Sequence, residues 1–218
     1  MIIQRRSLLG MGLVGAAATI AVGLVCTPSI STANPGAQAR IGGQAPTFTL
    51  TDSNGKSVSL ADFKGKTVVL EWTNHDCPYV RKHYTGQAMQ CLQKKWTEKG
   101  VVWLTLISSA PGEQGFVTPE QANKLTVDRS AKPTAVLFDT KGAVGRSYGA
   151  TVTPHMYIIT GDGALAYMGG IDDKASSRLE DLKTAKNFVD IALDEIAQGK
   201  PVSATTSRPY GCTVKYQS

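Results

Sequence analysis

The chain has 218 residues, 42% of them aliphatic, aromatic, Met or Cys and 18% charged, with a formal net charge of +6. These values exclude a disordered or fibrous chain and fit one buried core of about 100–200 residues with appendages rather than two full domains. Lys and Arg are scattered without a run of five or more, so the basic balance reads as a solvated surface and not as a nucleic-acid footprint.

At the N-terminus, Arg5-Arg6 precede a Gly- and Ala-rich apolar stretch that ends near Val25. The pattern resembles a twin-arginine export signal, and its moderate hydropathy suits a removable leader better than a permanent span. Ser31-Thr32-Ala33 and Ala37-Gln38-Ala39 both offer small residues for cleavage. The second is favoured, which sets the expected organisation: signal peptide 1–39, globular domain 40–200, tail 201–218. Loss of Arg5 and Arg6 lowers the mature charge to about +4. The expected location is exported or periplasmic, without stable membrane insertion of the mature form. Val25 before Cys26 is too large for a lipoprotein signal, so the mature chain keeps Cys77, Cys91 and Cys212. An odd number allows at most one intramolecular disulfide and leaves one thiol, a pattern suited to redox work.

Residues 47–60 alternate around Asn54-Gly55 and predict an opening β-hairpin. Thr67–Trp72 is a short apolar run suited to a strand buried on both faces. Pro78 starts a stretch of helix formers that runs to Lys99, with Gly86 as a possible bend and Gly100 as the stop. Val101–Ile107 reads as a second buried strand, and Thr118-Pro119-Glu120 caps a helix towards Arg129. Thr134–Phe138 and Met156–Thr160 predict further strands, and Gly161-Asp162-Gly163 turns the latter into Ala164–Met168. Leu179, Leu182, Val189, Ala192 and Ile196 share helical spacing over 176–198. Strands alternate with helices first and a hairpin follows, an order that predicts an α/β thioredoxin fold, a mixed central sheet flanked by helices, with an N-terminal β-hairpin and a C-terminal tail.

The stretch Glu71-Trp72-Thr73-Asn74-His75-Asp76-Cys77-Pro78-Tyr79-Val80-Arg81, followed later by Thr153-Pro154, resembles the thioredoxin active-site segment and its cis-proline dipeptide. Closer similarity lies with exported members of the thioredoxin-like redoxin family, in the alkyl hydroperoxide reductase and thiol-specific antioxidant group. It rests on Cys77–Tyr84, Thr153–Tyr157, Gly170-Ile171-Asp172-Asp173 and Pro209–Tyr216. The resemblance implies a thiol-disulfide or peroxide substrate, an electron donor of unknown identity, no cofactor, and substrate docking by Thr153, Pro154 and His155. Two departures restrict it. Val80 stands where thioredoxins keep a second cysteine, and Leu70 and Asn74 replace the Pro and Thr of the peroxiredoxin pattern.

A thiol reacts as its thiolate, and the free N–H groups at a helix N-terminus favour that anion. Cys77, immediately before Pro78, has this position; Arg81 adds in the same direction and Asp76 opposes it. A resolving thiol must come from elsewhere. Along one helix Cys91 lies roughly 20 Å away, at about 1.5 Å per residue, whereas Cys212 sits in a tail free to fold back, so Cys77–Cys212 is the preferred disulfide. Cys91 reads as a packing thiol. Glu71 matches the buried acid of thioredoxins and is a candidate proton relay, or else a carboxylate satisfied by a neighbouring Lys or by water. His75, His83 and His155 all fall at this predicted site; separately they read as surface or packing residues, together as a proton-transfer or metal-binding group.

The leading expectation is therefore an exported thiol-disulfide oxidoreductase or thiol-dependent antioxidant protein acting through Cys77. The alternatives are a copper-binding redoxin-type chaperone using Cys77, His75 and His155, and a thioredoxin-fold binding module without turnover.

Overall fold

The computed structural model describes residues 38–217. Residues 1–37 of the expected signal peptide lie outside them, and no described helix is long and apolar enough to cross a membrane.

The Asn54-Gly55 turn joins β1 (Thr49–Asp52) and β2 (Ser57–Ser59) as an antiparallel hairpin, with Gly55 at positive φ. A short 3-10 turn leads into β3 (Val68–Trp72), which is buried at all five positions. Pro78 opens α1 (Pro78–Thr85), and α2 (Ala88–Thr97) follows. The helical stretch expected to run to Lys99 divides at the Gly86 bend. The break falls at Gly86-Gln87, where Gln87 takes the left-handed conformation and Leu182 fills the space a Gly86 side chain would need.

Next come β4 (Val102–Ile107) and α3 (Pro119–Asp128). Thr118 and Gln121 form a reciprocal capping box at the start of α3, as the Thr-Pro-Glu signal predicts. They are followed by β5 (Ala135–Phe138), α4 (Ala143–Tyr148), β6 (Val152–Thr153), β7 (His155–Ile159) and β8 (Leu165–Gly169). The predicted helix over 176–198 is shorter. A 3-10 turn occupies Leu179–Lys183, and α5 spans Phe188–Ala197. Two contacts reset the phase: the Asn187 side chain accepts from Asp190 N–H as an N-cap, and Phe188 N–H donates to Ile171 carbonyl. The two-residue β9 (Cys212–Thr213) lies in the tail.

The main sheet has the order β2-β1-β5-β4-β3-β7-β8. β3, β4 and β5 are parallel, β7 runs antiparallel to β3, and β8 runs antiparallel to β7. This is the expected mixed sheet, with the hairpin joined to its β5 edge. Alternation along the strands divides the core. Leu70, Trp72, Leu104, Tyr157 and Tyr148 pack on one face, whereas Val69, Trp103, Met156 and Ile158 pack with α1, α2 and α5 on the other, together with Cys77.

Candidate active site

Cys77 is the N-cap residue of α1, with Pro78 in the first turn, and has 0% of its surface exposed. The loop ahead of it is fixed by Asn74. The Asn74 carbonyl accepts from Cys77 N–H at 3.1 Å, while its side chain accepts from Asp76 N–H at 2.9 Å and donates to Gln114 carbonyl at 3.3 Å. Opposite the sulfur lies the cis Thr153-Pro154 peptide, and the Cys77 thiol donates to Thr153 carbonyl at 3.1 Å.

The tail is docked against this loop rather than free. Cys212 pairs with Thr153 in the antiparallel β6–β9 ladder, and Val214 N–H continues it to Thr151 carbonyl at 3.0 Å. Gly211 allows the approach: it sits at φ 142°, and a Cβ there would lie 1.9 Å from the Thr153 carbonyl oxygen. Both cysteines are free thiols, with Cys212 the more accessible.

Their environments set them apart. Burial works hardest against the Cys77 thiolate, yet hydrogen bonds from the Cys212 thiol, Val80 N–H, Cys212 N–H and the Thr153 hydroxyl outweigh it and hold the thiol below its ordinary range. Cys212 is pushed up to about 11, first by burial and then by Cys77 beside it. The thiolate is therefore favoured at Cys77 over Cys212. Arg81 contributes less than expected: it is largely exposed and turned to the Asp76 carboxylate at 3.3 Å and the His75 carbonyl at 3.4 Å.

Glu71 is fully buried on the same face of the sheet as Cys77. It accepts from Tyr84 hydroxyl at 2.8 Å, Trp103 indole at 2.8 Å, Gln93 amide at 3.1 Å and Thr105 hydroxyl at 3.3 Å. Neutral side chains, not a Lys, satisfy it. Burial raises its pKa against the lowering effect of these four donors. Tyr84 and Thr105 also line a cavity of about 40 Å³ with Thr73, whose buried hydroxyl has no hydrogen-bond partner.

The three histidines do not converge. His75 stands beside Asp76 on the loop, at 3.4 Å. His83 is enclosed with Lys82, Asp172 and Tyr210. The His155 ring stacks on Tyr157, on the opposite face from Met156, and its Nδ1 lies 3.2 Å from the Tyr157 hydroxyl. Burial lowers the pKa of both His83 and His155 to about 4, so both are neutral at pH 7. Among the described residues no group of three or more His, Cys, Asp or Glu is arranged to hold a metal ion. Cys91, expected to pack, is exposed on α2.

Sequence reasoning missed the buried Lys82–Asp172–Tyr210 group. Its one signal was that all three residues fall inside the stretches that carry the family resemblance.

The thiol-disulfide oxidoreductase ResA of Bacillus thuringiensis subsp. konkukian is 32% identical over 56% of this chain, and the match spans 65% of that protein's length. An uncharacterised conserved protein of Geobacillus kaustophilus superposes with a TM-score of 0.69 at 26% identity, covering 82% of this chain and 93% of that one. A hypothetical protein of Sinorhizobium meliloti gives the same TM-score at 22% identity, over 83% of this chain and 97% of that one, a likeness of fold. The AhpC/TSA family model matches residues 41–168, more than half of the sequence, from the segment before β1 into β8. The chain belongs to the AhpC/TSA family.

Proposed function

We propose that the protein is a thiol-disulfide oxidoreductase that works through a Cys77–Cys212 pair. The observation that carries this reading is the opposed setting of the two sulfurs: Cys77 is capped by four donors that favour its thiolate, one of them the Cys212 thiol, and Cys212 keeps its proton to about 11. The similarity to ResA proteins supports the same chemistry.

In the reducing direction, the Cys77 thiolate attacks one sulfur of a substrate disulfide and expels the other as a thiolate. Cys212, deprotonated as it attacks, then displaces the substrate from Cys77, and the Cys77–Cys212 disulfide retains the two-electron oxidation. A dithiol donor restores the pair. The Thr153 hydroxyl and the backbone around the cis Pro154 border the reacting sulfur and serve as the docking edge, with His155 supporting that loop from below through Thr151 and Tyr157. Glu71 acts as the buried proton acceptor for the resolving step, a role supported by its raised pKa and by the small cavity that its donors Tyr84 and Thr105 share with Thr73. Export is part of the reading, carried by Arg5-Arg6 and the apolar stretch behind them.

Reduction of a model peptide disulfide with dithiothreitol as donor tests the scheme. Cys77→Ser abolishes turnover, Cys212→Ser accumulates a mixed disulfide on Cys77, Cys91→Ser matches wild type, and Glu71→Gln slows turnover by about 10²-fold, as loss of a positioned proton acceptor does. Turnover by Cys77→Ser contradicts the reading. Replacing the disulfide by hydrogen peroxide in the same assay separates the antioxidant alternative, which requires comparable rates on peroxide.

A further inference from the structure

Beneath the tail lies a polar cluster that the reaction itself does not use. Lys82 and His83, five and six residues beyond Cys77 on α1, are 2% and 1% exposed, and Asp172, three residues after β8, is 3% exposed. All three meet at one hydroxyl, that of Tyr210, two residues before Cys212. The Tyr210 hydroxyl donates to the Asp172 carboxylate, and its oxygen accepts from Lys82 Nζ at 3.1 Å and lies 3.3 Å from His83 Nε2. With its proton given to Asp172, the phenol oxygen has two lone pairs, one for Lys82 and one for His83, which assigns the imidazole proton to Nε2. His83 Nδ1 is accordingly the atom without a partner. Lys82 also donates to Lys174 carbonyl at 2.9 Å and stands 3.6 Å from Asp172.

Charged groups are seldom buried unless each is paired. Here Lys82 and Asp172 are paired through a residue of the tail, so removing the tail strips partners from both. The rest of the tail is built to the same end. Ser207 packs where Gly169 leaves no room for a Cβ, Gly211 presses on Thr153, and the Tyr79 and Tyr210 rings meet edge to face at 5.8 Å. The cluster therefore joins the helix that presents one sulfur to the strand that presents the other.

We infer that Tyr210, with Lys82, His83 and Asp172, is the positioning device for the resolving thiol: it sets the effective concentration of Cys212 at Cys77 and hence the redox equilibrium of the pair. The inference rests on the Cys77–Cys212 reading and adds what makes that pairing favourable. Fixing two groups in reacting geometry raises their effective molarity by orders of magnitude, and loosening one of them returns part of it.

Equilibration with glutathione measures this quantity directly. Oxidised glutathione takes two electrons and two protons from the Cys77 and Cys212 thiols, giving one protein disulfide and two glutathione thiols, and acid-quenched mass spectrometry reads the fraction oxidised. Tyr210→Phe keeps the ring against Tyr79 and removes the shared hydroxyl; Asp172→Asn keeps the side-chain size and removes the charge. Asp139→Asn, in a buried cluster with Ser108 and Gly145, reports the effect of comparable destabilisation elsewhere. Tyr210→Phe and Asp172→Asn each lower the equilibrium constant at least tenfold, a rise in potential of about 30 mV for this two-electron couple, and Asp139→Asn leaves it within twofold. Constants within twofold of wild type for both cluster variants overturn the inference, and if only one of them folds, that one decides. Wild-type protein that never forms the Cys77–Cys212 disulfide overturns the pairing itself, which is a distinct result.

Discussion

Cys77 and Cys212 differ in what surrounds them, and that difference is local. Cys77 gathers donors because the helix start, the Thr153 hydroxyl and the tail all meet at its sulfur, so the anion is favoured despite burial. His155 lends itself to a separate test at this scale. An imidazole kept neutral by burial, with its pKa at about 4 instead of 6.5, takes up its proton across that interval only in the unfolded chain. The unfolded state then binds more protons, so stability rises with pH through the window and is lost as pH falls through it. His83 behaves alike, and the raised Glu71 acts in the opposite sense. Denaturant unfolding between pH 4 and 6.5 should show His155→Gln with a pH slope smaller by up to about 1.4 kcal/mol per pH unit, the value for one proton. An unchanged slope contradicts a neutral, buried His155.

At the scale of elements, the docked tail depends on close backbone contacts more than on burial of apolar side chains. Gly211→Ala places a methyl group 1.9 Å from the Thr153 carbonyl carbon's oxygen, which forces β9 off β6. The expected outcome is faster alkylation of Cys77 by iodoacetamide and loss of the Cys77–Cys212 disulfide, with the far-ultraviolet circular dichroism retained. Alkylation at the wild-type rate contradicts the docking account. Elements whose signals are local were legible from residues alone: the Asn54-Gly55 hairpin, the Thr118 cap and the buried runs of β3 and β4. Elements decided by a distant partner were not. The late start of α5 follows from Asn187 and Ile171. For the same reason Cys77 was identified by its place before Pro78, while the partners of Tyr210 required the fold to bring positions 82, 83 and 172 together. His155 was misplaced because the side of a strand on which a residue falls is set by register, and Trp72↔His155 fixes it on the face away from Cys77.

For the molecule as a whole, a redoxin sheet is joined to a tail that completes its site. The tail is secured on both sides of Cys212: by Tyr210 in the buried cluster, and by Tyr216, which donates to Ala150 carbonyl at 2.6 Å and fills the space above Gly142 and Gly145. The three cysteines among the described residues, with their unequal settings, then predict one arrangement of oxidised protein. Peptide mapping of the monomer after mild oxidation tests it most directly: the account predicts a single disulfide joining the Cys77 and Cys212 peptides with Cys91 alkylated as a free thiol, and recovery of Cys212 as a free thiol alongside oxidised Cys77 would contradict it.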